Sequence, residues 1–285
     1  MKANLSGNSI INTYAINNYS KLKLSLFFLP LFFLVAVVLF LYKHDALNTE
    51  NYILIQKDCF LFINSKLSQF PNTIYNLTQL GDCLISFSLL TLFIICAPKI
   101  WESLLSASLV SCVFSTILKK LFAVPRPALA FDNSPFFIIG KTLCGNNSLP
   151  SGHSITIFTT FTVLLFSFMP KKLDYKILWI FFIITTAFSL ALTRVGIGAH
   201  YPLDVFIGGI FGFISGLLGI FITRKYKIWD WISNKKYYPV FIVLFLICCI
   251  SLIIRITHEN LIIYYFSIAS LVVSLYKITT VYVKK

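Results

Sequence analysis

Three short stretches hold residue types that could act together on a phosphate: KKLFAVPRP at 119–127, PSGH at 150–153 and TRVGIGAHYPLD at 193–204. Lys119, Arg126 and Arg194 supply three positive charges, and the planar guanidinium fork suits phosphate oxygens. PSGH stands directly before an apolar run that reads as a helix, so free backbone N–H groups and the positive end of the helix dipole point toward it. Gly152 lets backbone approach a ligand closely, and the Ser151 hydroxyl can donate a hydrogen bond. In HYPLD, Pro202 suits the first turn of a helix, where its missing N–H costs nothing. Asp204 follows His200 by four residues, which allows its carboxylate to reach the imidazole. A carboxylate on one ring nitrogen fixes the tautomer and leaves the other nitrogen free to attack. His200 then reads as a nucleophile and His153 as a general acid.

Taken singly, each piece has an ordinary reading. A histidine at a helix end is usually structural, and Arg-Pro marks a turn. The order and spacing of all three stretches point instead to one anion site with two histidines.

The elements that must position these residues are read from the rest of the chain. Of its 285 residues 58% are hydrophobic and 12% charged, more apolar and less charged than a soluble domain. Eight apolar spans are expected, at about 24–42, 79–97, 102–119, 153–169, 177–193, 203–222, 239–254 and 261–276, each near the ~20 residues that cross a bilayer core. The first is read as an uncleaved anchor, because about twenty polar residues precede it and no small-residue cleavage site follows. The formal net charge of +14 suggests nucleic acid in a soluble chain, but here the charges flank apolar spans, so no nucleic-acid partner is expected. With the N-terminus inside, the inner segments carry 15 of the 24 Lys and Arg residues and the outer ones 9. Both termini are therefore expected in the cytoplasm, and all three motifs on the outer face. The four tryptophans then fall near inner interfaces.

Residues 43–78 contain apolar positions near helical spacing and read as a helix lying on the membrane surface. SPFFIIG, at 134–140, reads as an apolar patch touching lipid. Gly208, Gly212 and Gly216 lie four apart and read as a smooth stripe for helix packing rather than a substrate groove. The seven cysteines show no CxxC pair, and no metal-ligand spacing is present, so neither a metal site nor a cofactor is expected. Cys59, Cys83 and Cys144 fall on the outer side, where a disulfide could form. His258, in RITHEN, reads as a loop histidine.

At these motifs the chain resembles the type 2 phosphatidic acid phosphatase family, which shares its core with vanadium-dependent haloperoxidases. The family pattern is Lys-x6-Arg-Pro, Pro-Ser-Gly-His and Ser-Arg-x5-His-x3-Asp. It is matched by Lys119 to Arg126-Pro127, by Pro150-Ser151-Gly152-His153, and by Thr193-Arg194 to His200 to Asp204. Thr193 replaces a serine and keeps the hydroxyl. The resemblance covers about residues 80–222. It implies an all-α polytopic membrane bundle with a six-helix core and two additional C-terminal helices. It further implies a metal-independent phosphatase in which His200 attacks phosphorus, Asp204 orients it and His153 protonates the leaving oxygen, while Lys119, Arg126, Ser151, Gly152 and Arg194 hold the phosphate.

On this reading residues 1–23 form a cytoplasmic N-terminal segment, 24–222 the membrane phosphatase core, and 223–285 a cytoplasmic loop with two extra helices. The expected substrate is a membrane lipid phosphate: a polyprenyl pyrophosphate, phosphatidylglycerol phosphate, phosphatidate or a lipid A phosphate. It is met in the bilayer of a cytoplasmic membrane, with no obligate protein partner. Two rivals remain. A haloperoxidase would usually be soluble, against eight apolar spans. A transporter or a non-catalytic lipid-binding protein on the same fold should have lost one histidine, and both are present.

Overall fold

A computed structural model describes residues 9–131 and 136–283. The described residues form helices and turns with no strand. In chain order the helices are α1 (Ile10–Tyr19), α2 (Phe28–Lys43), α3 (Thr49–Leu54), α4 (Lys57–Leu67), α5 (Pro71–Thr78), α6 (Cys83–Leu90), α7 (Phe93–Cys96), α8 (Pro98–Phe122), α9 (Pro127–Ala130), α10 (Gly152–Ser167), α11 (Leu173–Gly196), α12 (Pro202–Lys225), α13 (Tyr238–His258) and α14 (Ile262–Val283). Lys2, Lys284, Lys285, Ser134 and Pro135, used in the charge count or the apolar patch, lie outside the described residues.

Among the described residues six helical segments are long and apolar enough to cross a membrane, where the sequence led us to expect eight spans. The chain is a multi-pass membrane protein. The two differences have local causes. The span expected at 79–97 is broken at Thr91, where the Thr91 hydroxyl donates back to the Ser88 carbonyl (2.9 Å). Such a bond offers the backbone an alternative to the helical ladder. The segment ends at Ala97 with φ −152° and ψ 67°, outside the helical region that the following Pro98 disfavours. The span expected at 153–169 is the 16-residue α10. At 1.5 Å per residue it reaches about 24 Å, short of the ~30 Å core.

The bundle is organised around α12. In its apolar window 67% of residues are buried, against 17% for α2 and α13. The outer helices show the pattern of lipid-facing surfaces, with Phe32 and Val243 among many exposed apolar side chains. The glycine stripe explains why α12 is central. A Cβ on Gly212 would sit 2.5 Å from the Ile155 carbonyl oxygen, and one on Gly208 would sit 2.8 Å from the Ser151 carbonyl oxygen. The stripe is a packing surface for α10, as expected, and it draws PSGH against the start of α12. Gly219 makes the matching approach to Ala107 of α8.

Residues 43–78 are not one surface helix. They form α3, α4 and α5, and Tyr52, Phe60, Asn64 and Thr78 point inward and are buried. Asn64 ties this segment to the rest, donating to the carbonyls of Phe137 (2.9 Å) and Gly196 (3.0 Å). Of SPFFIIG, Phe137 is exposed, whereas Phe136 packs on Phe60 and Phe131. Trp101, in the first turn of α8, is buried against Phe87. The seven cysteines are free. At the opposite end, α1 is fastened to the end of α10 by Tyr19–Ser167 (2.6 Å) and Asn18–Ser167 (3.0 Å) hydrogen bonds.

Candidate active site

The end of α8, the start of α10, the end of α11 and the start of α12 meet at one end of the bundle, and they carry the three motifs. The link between motifs is direct: the Ser151 N–H donates to the Asp204 carbonyl at 3.0 Å.

Ser151 is the N-cap of α10. Its hydroxyl oxygen accepts from the Ser154 N–H (3.4 Å) and from the Ser154 hydroxyl (2.9 Å). Both bonds use the oxygen as acceptor, so neither spends the hydroxyl hydrogen. A Cβ on Gly152 would lie 3.4 Å from Lys119 Nζ, so the ammonium rests against the bare start of α10. The helix end and Lys119 therefore focus on the same space.

Arg126 is 8% exposed. Its Nε donates to Asn147 Oδ1 (2.6 Å), and Nη1 donates to the Ala199 carbonyl (3.3 Å) and lies 3.5 Å from His200 Nε2. Its backbone N–H is held by the Gly145 carbonyl (3.0 Å). Arg194 is 4% exposed. Its Nη1 donates to Thr78 (3.2 Å), and its buried Nε has no hydrogen-bond partner. Neither Lys119, Arg126 nor Arg194 is paired with a carboxylate among the described residues. Buried cations without counter-ions are costly to hold, and an incoming anion would remove that cost.

His200 is 1% exposed. Burial, and then the positive charges of Arg126, Arg194 and Lys119, hold its pKa well below the usual imidazole value. It is neutral at pH 7, the form with a lone pair to donate. The expected contact with Asp204 is present but long, at 3.5 Å from Nδ1 to Oδ2. The Ser148 hydroxyl bridges the gap. It donates to Asp204 Oδ2 (2.5 Å) and stands 3.4 Å from His200 Nδ1. Since its hydrogen goes to the carboxylate, Ser148 can only accept from Nδ1–H. That order places the free lone pair on Nε2, beside Arg126. Asp204 is fully buried. It also accepts from the Tyr52 hydroxyl on Oδ1 (2.8 Å) and from the Tyr201 N–H on Oδ2 (3.0 Å).

Ser148, Asn147, Tyr52 and Thr78 were not foreseen. Ser148 and Asn147 stand just before PSGH, and nothing in their types marks them out. Tyr52 and Thr78 come from the segment read as a surface helix. We expect Ser148→Ala to lower kcat about 10-fold, or ~1.4 kcal/mol of barrier, because the imidazole keeps Asp204 as a distant partner but loses the bridge. Phosphate release by the purified variant measures it. Unchanged turnover would show that the bridge does not orient His200.

His153 lies beside this cluster. A Cβ on Gly81 would meet His153 Cβ at 2.6 Å, so the turn before α6 lies directly against the histidine. His153 lines two cavities. One, of about 470 Å³, also has Arg194, Arg255 and His258 in its wall. The other, of about 480 Å³, reaches between α6 and α8 past Cys83, Ser108 and Ser115. His258 is the last residue of α13 rather than a loop residue, and it faces the first cavity.

Over part of its length the chain is similar to known proteins. Over 81 residues the chain is 36% identical to bacitracin transport permease protein BcrC of Bacillus licheniformis, covering 28% of this chain and 36% of that protein. It is 33% identical over 116 residues to a lipid A 1-phosphatase of Rhizobium etli, covering 40% of this chain and 47% of that one. A lipid A 1-phosphatase of Rhizobium johnstonii matches at 34% over 116 residues, covering 40% and 44%. The matches thus span between about a third and a half of these curated relatives. The crystal structure of Aquifex aeolicus LpxE is similar at 28% identity and a TM-score of 0.48, covering 60% of this chain and 96% of that one. The family profile described as the PAP2 superfamily matches residues 99–229, a region that holds every motif residue from Lys119 to Asp204.

Proposed function

We propose that the protein is an integral membrane lipid phosphatase that hydrolyses a phosphomonoester or pyrophosphate of a membrane lipid through a phosphohistidine. The observation that carries this reading is the set of cations, Lys119, Arg126 and Arg194, without carboxylate partners around a neutral, oriented histidine. In the first step His200 Nε2 attacks phosphorus and the bond to the lipid-side oxygen breaks. His153 delivers a proton to that oxygen. Lys119, Arg126, Arg194, the Ser151 hydroxyl and the N–H groups at the start of α10 hold the phosphoryl oxygens as charge builds on them. In the second step water attacks the phosphohistidine, His153 accepts its proton, and inorganic phosphate leaves with His200 restored. Asp204, through Ser148, keeps the imidazole in one tautomer throughout.

The catalytic end faces the outside of a cytoplasmic membrane on this reading, because the motif-bearing loops are poorer in Lys and Arg than the segments between the other helix ends. Cysteines placed at Asn146 and at Ser233, in a background without the seven native ones, test it with an impermeant thiol reagent on intact cells. Labelling at 146 and protection at 233 is expected, and the reverse pattern would invert the orientation.

The lipid A 1-phosphatase relatives favour a phosphorylated lipid as substrate. In the proposed mechanism the cations and the helix end neutralise the phosphate, a task that a metal performs in other phosphatases. We therefore expect phosphate release from detergent-solubilised lipid phosphates to persist in excess chelator and to be blocked by vanadate, a mimic of the transferring phosphoryl group. Activity lost to chelator and restored by Mg²⁺ would overturn the mechanism.

A further inference from the structure

Arg255 reaches the catalytic region from α13, beyond the residues that the family profile matches. It lines both cavities that open on His153. Its placement follows from a short chain of contacts. The Gly81 backbone lies against the His153 side chain. The next residue, Asp82, caps α6 with Oδ1 (2.9 Å to the Leu84 N–H) and holds Arg255 Nη1 with Oδ2 at 3.1 Å. The end of α13 thereby brings the guanidinium to the wall of the cavities that the proposed leaving-group acid lines. Arg255 shares both cavities with His153, the proposed leaving-group acid, and His200 lines neither.

The Arg255–Asp82 pair is partly exposed, with side-chain exposures of 38% and 24%. Such a pair is screened by solvent and weak. Only one nitrogen of the fork is engaged by it, which leaves further N–H donors for another anion. The nearby carboxylate, Glu259, is occupied by the Tyr75 (2.9 Å) and Tyr264 (3.3 Å) hydroxyls. Lys141 adds a second positive charge to the wall of the same cavity.

We propose that Arg255 is a specificity-determining residue that binds the anionic oxygens of a leaving group which is itself a phosphate, so that the protein favours lipid diphosphates over lipid monophosphates. This rests on the phosphatase reading above. With a diphosphate, His200 attacks the terminal phosphorus, the P–O–P bond breaks on the lipid side, and a lipid monophosphate leaves past His153 and Arg255. With a monophosphate the leaving group is an alcohol and gives the guanidinium nothing to hold.

The test compares farnesyl diphosphate with farnesyl monophosphate, which share one tail, using the full-length protein in detergent. The wild type should show the higher kcat/KM on the diphosphate. Arg255→Ala should lower kcat/KM about 10-fold or more on the diphosphate, the loss of a charge-assisted fork, and less than about 3-fold on the monophosphate. Asp82→Asn removes the same ion pair but keeps the guanidinium and an effective helix cap, so it should retain the preference. Equal losses on both substrates for Arg255→Ala would overturn the proposal, as would a preference lost equally in Asp82→Asn or a wild type that prefers the monophosphate. Phosphate release from neither substrate by the wild type would instead overturn the phosphatase reading, and this proposal with it.

Discussion

His200→Ala should abolish phosphate release, lowering kcat by about 10⁴-fold or more, the scale seen when a hydrolase loses its nucleophile. The fold should survive. His200 sits in the turn between α11 and α12, and backbone donors on either side of it hold the turn to each helix, the Ala199 N–H to the Arg194 carbonyl of α11 (3.0 Å) and the Tyr201 N–H to Asp204 of α12. Lipid binding should also survive, because the cations and the start of α10 are untouched. Asp204→Asn should fall between the wild type and His200→Ala. The imidazole remains, but an amide cannot support the developing positive charge, and it disturbs the hydrogen-bond order from Nδ1 through Ser148. Turnover and lipid-binding affinity of the two purified variants check this. Near-normal turnover by His200→Ala would end the phosphohistidine proposal, and parallel loss of binding would point to misfolding instead.

His153→Ala should show a loss that depends on the leaving group. With an alkoxide leaving group, a poor one without a proton, the expected cost is about 10²–10⁴-fold in kcat, the span of general acid catalysis. With an aryl phosphate whose phenol is already acidic, departure needs no proton, and the cost should shrink to a small factor. The contrast separates an acid from a residue that only shapes the pocket, since a shaping role would affect both substrates alike. The basis is structural: His153 stands at the start of the α10 anion cradle, is fixed against Gly81, and lines both cavities through which a lipid could reach the phosphate site. Measuring both substrates with the same variant preparation cancels errors in active fraction. Equal losses would remove His153 as leaving-group acid.

The legibility of this chain was uneven, for physical reasons. The motif residues announced themselves because charge and imidazole are expensive at membrane depth, and because His200 and Asp204 are local in sequence. The helix starts at PSGH and HYPLD were equally local, and the structure places caps and first turns where those residues suggested. The glycine stripe on α12 was readable as packing, since period-four glycines have few other uses in a span. What escaped were partners brought together by tertiary structure. Tyr52 meets Asp204 across 152 positions and Thr78 meets Arg194 across 116, and neither tyrosine nor threonine signals such a role. Ser148 was overlooked because Asp204 was expected to touch His200 directly. The break at Thr91 and the shortness of α10 were hidden because hydropathy records composition and not helix continuity. The alternation of spans already brings the end of α13 to the outer face, but nothing in RITHEN reveals that Arg255 and His258 line a cavity shared with His153.

The proposed mechanism forms a covalent bond between His200 and phosphorus, and rapid-quench trapping measures it most directly. The full-length protein would be mixed with a lipid phosphate radiolabelled in its terminal phosphate and quenched in alkali within one turnover. Label should appear on the protein, survive alkali, be lost in acid as phosphohistidine is, and map to the peptide containing His200. It should accumulate in His153→Ala if His153 also activates the second-step water and an acidic phenol serves as leaving group. Turnover at the normal rate with no trapped label, or label unaffected by His200→Ala, would contradict the mechanism.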